Sequence, residues 1–301
     1  MNVLLIGSSK FIGSHLLNRL IKKNNVDKIF CTYLSNKPPE THTDNKLTYK
    51  KCDVRKFSDL EKNLIESNAE IIIYMASSRY FPIPTNINDH LTVNINGIKN
   101  LIKACKENKK NPDVIFINSG VSKLNGIKDN QSYTFSKINS SKIFHNAILN
   151  NEISGTEINL FTPYGPNDYK YRLIQSVVLG LIKGESLNIK YPNSQRDFIY
   201  IDDVIDIIEK VTFSSQKVDS IDVGSSKPTS TFEVVNEICS IMEITHEIKV
   251  DQNKDKEEIH YMKADLSVAK EKFNWSPKID LKDGIFSTVE WIKKNYKNYY
   301  E

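Results

Sequence analysis

Asn2–Val3–Leu4–Leu5–Ile6–Gly7–Ser8–Ser9–Lys10–Phe11–Ile12–Gly13 is the stretch that decides the fold. A short apolar run stops at a glycine, and Ile12, Leu16, Leu17, Leu20 and Ile21 then recur at helical spacing. Strand, tight turn and helix in that order form the first half of a βαβ unit. The start lacks the basic residues and cleavage site of a leader, so it reads as a buried strand.

The same alternation continues outward. Lys28–Tyr33 and Leu47–Cys52 read as strands, Ser58–Ser67 as a helix and Glu70–Met75 as a strand buried on both faces. Asn88–Glu107 reads as one helix, Val114–Asn118 as a strand, Ser132–Leu149 as a helix and Thr156–Phe161 as a strand. Near-continuous apolar strands separated by helices predict a parallel sheet covered on both faces. The expected class is α/β: a Rossmann-type doubly wound sheet, whose ligands gather at the carboxyl ends of its strands. After Phe161 the rhythm breaks at Thr162–Pro163–Tyr164–Gly165–Pro166. A helix over Leu173–Lys183 and a strand over Ser220–Val223 come next, then a tail with a charged loop at Asp251–Glu258. A smaller C-terminal lobe is expected there.

Composition narrows the partners. The 301 residues are 39% hydrophobic and 26% charged, with 41 basic and 37 acidic side chains and a formal charge of +4. That near balance gives no support for a nucleic-acid footprint and would not repel small anions. Cys31, Cys52, Cys105 and Cys239 are too scattered for a metal site or a disulfide framework, and reduced thiols suit a cytoplasmic protein. No run approaches the roughly 20 apolar residues of a membrane helix.

The turn at Gly7–Gly13 also carries chemistry. Glycines let the backbone approach a pyrophosphate, whose charge meets the positive helix N-terminus. On this turn and its flanks the chain resembles the extended short-chain dehydrogenase/reductases, the NAD-dependent epimerase/dehydratase family, whose turn usually reads GxxGxxG. Lys10 stands at the middle glycine. The resemblance implies a dinucleotide held by Gly7, Ser9, Lys10, Phe11, Ile12 and Gly13. Thr32–Tyr33–Leu34–Ser35–Asn36–Lys37 offers no acid for the ribose hydroxyls. Lys10, Ser35 and Lys37 are therefore expected around the 2′-phosphate of NADP(H), with NAD the alternative cofactor. Asp53, followed by Val54, matches the aspartate that holds the adenine amino group, and Met75–Ala76–Ser77 matches the segment under the cofactor.

Tyr133–Thr134–Phe135–Ser136–Lys137 is a YxxxK pair at a predicted helix start. Residues four apart share a face, so phenol and ammonium meet one site. A phenol titrating near 10 is a poor acid at neutral pH, and a neighbouring cation brings it into range. In the family this tyrosine is the catalytic acid–base, and the lysine also holds the nicotinamide ribose. The third member is a Ser or Thr after the fifth strand: Ser119 is the candidate for both catalysis and substrate contact, Ser122 the alternative. Ser119 stands only fourteen positions before Tyr133, and Gly120–Val121 replaces the Asp–Glu pair of the family's dehydratases. No cysteine of the kind used by GDP-fucose synthase lies in this loop.

Tyr164–Gly165–Pro166 and Arg196–Asp197–Phe198–Ile199–Tyr200–Ile201–Asp202–Asp203–Val204 match the family's YGP and RDFVYVDD blocks, and the tail through Trp275 and Gly284 matches its closing segment. Arg196 would grip the diphosphate of a nucleotide-sugar substrate; Asp202 and Asp203 open a helix and read as structural. The implied division is a dinucleotide-binding domain over 1–162, with 196–223 returning to it, and a substrate lobe over 163–195 and 224–301. The expected activity is NADPH-dependent reduction of a 4-keto-6-deoxy nucleotide sugar for surface polysaccharide, resembling 4-ketoreductases of the CDP-abequose synthase type. A 4-epimerase with tightly held NAD is the first alternative and a non-catalytic dinucleotide sensor the second. A homodimer built on Asn88–Glu107 and Ser132–Leu149 is a family expectation.

Overall fold

The computed structural model describes residues 1–35, 44–78, 87–124, 132–189, 191–245, 248–250 and 261–300. The chain forms two compact units. The first comprises Met1–Leu160 with Ile205–Ile221, the second Phe161–Val204 with Asp222–Glu301. Residues 196–204, grouped with the first domain on sequence, cluster with the second unit.

In chain order the elements are β1 (Asn2–Ile6), α1 (Phe11–Leu20), β2 (Lys28–Tyr33), β3 (Leu47–Lys51), α2 (Phe57–Ser67) and β4 (Ile71–Tyr74). Next come α3 (Ile87–His90), a π-helical turn (Leu91–Asn96), α4 (Gly97–Glu107), β5 (Asp113–Ser119), a 3₁₀ turn (Gly120–Lys123), α5 (Ser132–Leu149) and β6 (Ser154–Leu160). The remainder is β7 (Thr162–Tyr164), α6 (Leu173–Ile182), β8 (Leu187–Ile189), β9 (Gln195–Arg196), β10 (Phe198–Tyr200), α7 (Ile201–Thr212), β11 (Ser220–Val223), β12 (Thr229–Ser230), α8 (Thr231–Ile241), β13 (Ile248–Val250), α9 (Ser267–Phe273) and α10 (Leu281–Tyr300). The charged stretch Asp251–Glu258 lies outside the described residues.

Seven strands form one parallel sheet in the order β11-β6-β5-β4-β1-β2-β3. Strand order reverses between β1 and β4, where Leu5 pairs with Ile73 and Ile6 with Tyr74. Their carboxyl ends mark the switch point at which such sheets take ligands. Burial explains the composition of the strands: Val3, Leu4, Leu5, Ile6, Ile72 and Ile73 are all fully buried, as a sheet covered on both faces demands. On one side Leu4, Ile72, Val114 and Phe116 pack with Leu60 and Leu64 of α2, Ile98 and Leu101 of α4, and Phe144 of α5.

The single helix expected over Asn88–Glu107 is instead three pieces, α3, the π turn and α4. A π turn adds a residue to the helical repeat and rotates the helix beyond it, and such turns gather at functional sites. It ends at Gly97, where a Cβ would stand 2.3 Å from the Tyr74 hydroxyl and 3.1 Å from Val54.

The second unit is held by its own motif residues. β7 pairs with β10 in parallel and β9 with β12 antiparallel. Tyr164 donates its hydroxyl to the Leu281 carbonyl at 3.2 Å, and its ring meets those of Phe198 and Tyr200. Gly284 leaves that room, since a Cβ there would sit 2.1 Å from the Tyr164 oxygen. Asp197, fully buried, accepts from the backbone N–H groups of Ser225, Ser226 and Ala264. Asp203 accepts from those of Lys278 and Ile279 at 2.9–3.0 Å, the structural part expected of it. A capping box, Ser230 with Glu233, opens α8.

Candidate active site

The β1–α1 turn lies at the switch point. Gly7 has φ +82°, and a Cβ there would stand 2.7 Å from the Ala76 nitrogen. Gly13 is excluded from any larger side chain by the Ser8 backbone, 2.4 Å from a built Cβ. Both glycines therefore serve close approach of chain to chain. Gly7 N donates to Thr32 Oγ1 at 3.0 Å and Ser8 N to the Thr32 carbonyl at 3.2 Å, which ties the turn to the end of β2. Lys10 is the exposed N-cap residue of α1, and no acid stands in that helix's first turn. Ser9, Phe11 and Ile12 are partly exposed, and Ser35 is exposed just past β2. Lys37 lies outside the described residues.

Asp53 follows β3 and is engaged already. Arg55 grips its carboxylate at 2.8 and 2.7 Å, and these hydrogen bonds hold the acid below its ordinary range. Two carboxylate oxygens have more lone pairs than one guanidinium occupies, so acceptor capacity remains. Val54 is buried, its carbonyl accepting from Asn100 at 3.0 Å.

Tyr133 and Lys137 stand on the first turns of α5, with the ammonium 5.8 Å from the centre of the phenol ring. Lys137 is 3% exposed, and burial pulls it down to about 8 while Glu157 opposes the shift. His90 of α3 meets the Tyr133 ring edge-to-face at 5.5 Å, and burial holds this imidazole below its ordinary value. Ser119 ends β5 and accepts a long bond, 3.5 Å, from Val121 N. Ser122, the alternative, donates to Asn159 at 2.8 Å. Gly120 and Val121 are buried in the 3₁₀ turn. Arg196, in the second unit, donates from Nη1 to the Gln195 carbonyl at 3.2 Å.

One residue that no motif marks joins these pieces. Asn94, 3% exposed within the π turn, accepts from Ser78 N at 2.8 Å and from Ser77 Oγ at 3.1 Å. Its Nδ2 donates to Ser136 at 2.8 Å, and Ser136 donates to the Tyr133 carbonyl at 2.7 Å. Met75–Ala76–Ser77 thus sits against the Gly7 turn on one side and is linked to the Tyr133 helix on the other. No sequence signal locates Asn94, because the π turn alone gives it that face. Among the described residues no group of His, Cys, Asp or Glu could hold a metal, and no helix is long and apolar enough to cross a membrane.

Residues 3–224 match the family model described as NAD dependent epimerase/dehydratase family. A trifunctional UDP-glucose 4,6-dehydratase/UDP-4-keto-6-deoxy-D-glucose 3,5-epimerase/UDP-4-keto-L-rhamnose-reductase of Arabidopsis thaliana is 23% identical over 98% of this chain. The chain spans only 47% of that protein's length. Among solved structures, a UDP-glucose 4-epimerase from Thermotoga maritima with UDP-glucose superposes with a TM-score of 0.87 at 19% identity, covering 98% of this chain and 100% of that one. A UDP-glucuronic acid 4-epimerase from Bacillus cereus, in complex with UDP-glucuronic acid and NAD, gives 0.86 at 21% identity over the same shares. At these identities the structures establish the fold.

Proposed function

The chain belongs to the NAD dependent epimerase/dehydratase family, and from that premise we propose that it reduces a 4-keto-6-deoxy sugar carried on a nucleoside diphosphate, using NADPH. The observation that carries this reading is the Tyr133–Lys137 pair on α5, linked through Ser136 and Asn94 to the Ser77–Ser78 segment.

The dinucleotide fits the residues present. Gly7, Ser9, Phe11, Ile12 and Gly13 form a turn in which any side chain at either glycine would collide with backbone. That turn opens a helix with no acid in its first turn, as a pyrophosphate requires. Asp53 and Val54 take the adenine end; Met75, Ala76 and Ser77 lie beneath. Lys10 with Ser35 and Lys37 holds the 2′-phosphate, since β2 ends without the carboxylate that a ribose diol would want. The bound cofactor supplies the hydride.

The chain's own residues handle the proton. Lys137, as ammonium, favours the ionised form of the Tyr133 phenol and so brings proton exchange with the sugar oxygen within reach of neutral pH. Ser119 donates a hydrogen bond to that same oxygen; among the described residues its hydroxyl is only an acceptor, from Val121 N, whereas the Ser122 hydroxyl donates to Asn159. Gly120 and Val121 provide no acid or base for a dehydratase's elimination. Arg196 meets the substrate diphosphate with a planar fork. A cytoplasmic homodimer completes the reading, to be checked by light scattering.

A second reading, a 4-epimerase that retains NAD through a redox-neutral cycle, is favoured by the two 4-epimerases of like fold. Screening 4-keto sugars on CDP, GDP, dTDP and UDP for NADPH oxidation tests the first reading. Failure with all four, together with nicotinamide carried through gel filtration, would establish the second. NADPH is expected to bind at least tenfold more tightly than NADH; equal Kd values overturn the 2′-phosphate assignment.

A further inference from the structure

Behind the Tyr–Lys helix lies a carboxylate that this mechanism does not use. Glu157 is in the middle of β6 and only 1% exposed. Asn118 of β5 donates to its Oε1 at 2.5 Å, Ser141 of α5 donates to Oε2 at 2.8 Å, and His145 Nε2 meets Oε2 at 2.7 Å. Ser141 and His145 stand four and eight positions after Lys137, on the same face of the helix. Asn118 spans the two groups, donating also to the Lys137 carbonyl at 3.2 Å.

An acid so placed demands compensation, because burying an unpaired carboxylate costs several kcal/mol. Joining α5 to β6 by packing alone would be served as well by leucine or isoleucine. What distinguishes this spot is a second buried charge on the same helix face, the Lys137 ammonium. The other charged groups around the cluster are peripheral. Lys123 of the 3₁₀ turn is exposed and donates to Ser220. Asp219, ahead of β11, offers its backbone carbonyl to Glu157 N at 3.0 Å.

We propose that Glu157 is a positioning residue for the reaction: its carboxylate, bound to His145, holds Lys137 as an ammonium ion on the active face of α5, and a proton on His145 weakens that hold. Two electrostatic tendencies agree with the geometry. Burial drives Lys137 toward the neutral amine while Glu157 opposes it, and the hydrogen bond to Glu157 raises His145 above the ordinary histidine value. The inference rests on the Tyr–Lys reading of the site, so its test observes Lys137 directly.

In protein carrying ¹³C-labelled lysine, with the Lys137 resonance assigned by Lys137→Arg, Glu157→Gln is expected to lower the Lys137 midpoint by about one pH unit or more. The alkaline limb of turnover should move with it. A fall in the midpoint without turnover on any keto sugar would support the inference while sinking the catalytic reading. A midpoint that stays in place overturns the inference, whatever happens to activity. Should Glu157→Gln fail to fold, the wild-type resonance still decides. It should show a second inflection at the His145 midpoint that His145→Gln abolishes, and its absence from the wild type overturns the proposal.

Discussion

The two units use their polar residues in opposite ways. In the second, Asp197, Asp203 and Tyr164 fasten segments far apart in sequence, and nearly all their bonds end on backbone. In the first, Asn94, Ser136, Asn118 and Glu157 form side-chain chains that converge on the helix of Tyr133 and Lys137. The strongest family match, the YGP and RDFIYIDD blocks, is thus largely a packing device. The weaker match, YxxxK, sits on the network to which the proposed function assigns the chemistry. In this chain the longer match marks mainly the fastening of backbone segments.

The largest effect should come from Tyr133→Phe. Losing the phenolic proton is expected to lower kcat by roughly 10²- to 10⁴-fold, with NADPH affinity unchanged by fluorescence titration. Near-normal turnover would place the chemistry elsewhere; loss of both activity and binding would mark a damaged fold, and a wild type that binds NADPH without turning over any keto sugar would return the chain to a dinucleotide sensor. In the second unit, Asp203→Ala strands the backbone N–H groups of Lys278 and Ile279. It should cost about 3 kcal/mol in denaturant unfolding, with kcat per folded molecule intact. If kcat falls and stability does not, the contrast between the units fails.

Asn94→Ala sharpens the same contrast at intermediate size. It breaks the link from Ser78 to Ser136, so kcat should drop about tenfold while stability falls by about 1–2 kcal/mol. A variant that loses stability alone would make Asn94 the first unit's counterpart of Asp203.

Much of this architecture is legible from period alone. Lys28–Tyr33, Ser132–Leu149 and Ser220–Val223 coincide with β2, α5 and β11, and Ser58–Ser67 covers all but the first residue of α2; the apolar run of β2 and the helical spacing of α2 are local properties. The candidate positions at Gly7, Met75 and Tyr133 derive from those elements, since a doubly wound sheet fixes where their ends lie. The features that escape depend on partners distant in sequence. The π turn interrupts a pattern that reads equally well as one helix, and Asn94 is hidden with it. Glu157 does leave a trace, a charged residue within a strand otherwise buried, which implies a partner without naming it. Arg55 is the local exception: it reaches Asp53 two positions away through a turn closed by Lys56 N on the Asp53 carbonyl, and no motif marks it.

The smallest effect concerns the pH dependence of stability. His145, its side chain 29% exposed, is raised above the ordinary value of 6.5 by its hydrogen bond to Glu157, against an opposing cost of burial. A base whose folded value is raised stabilises fully below its unfolded value, and that contribution fades as pH climbs through the folded one. Wild-type Tm should therefore decline modestly as pH rises from about 6 toward 8, and His145→Gln should flatten that slope. Lys137 acts with the opposite sign in a higher window. Depressed to about 8 by burial, it penalises the fold below that pH and releases the penalty as pH rises toward the ordinary lysine range. A variant whose slope stays like the wild type's would mean that the Glu157–His145 contact contributes nothing to the balance, leaving the first unit's polar network as ordinary packing, no different from the second's.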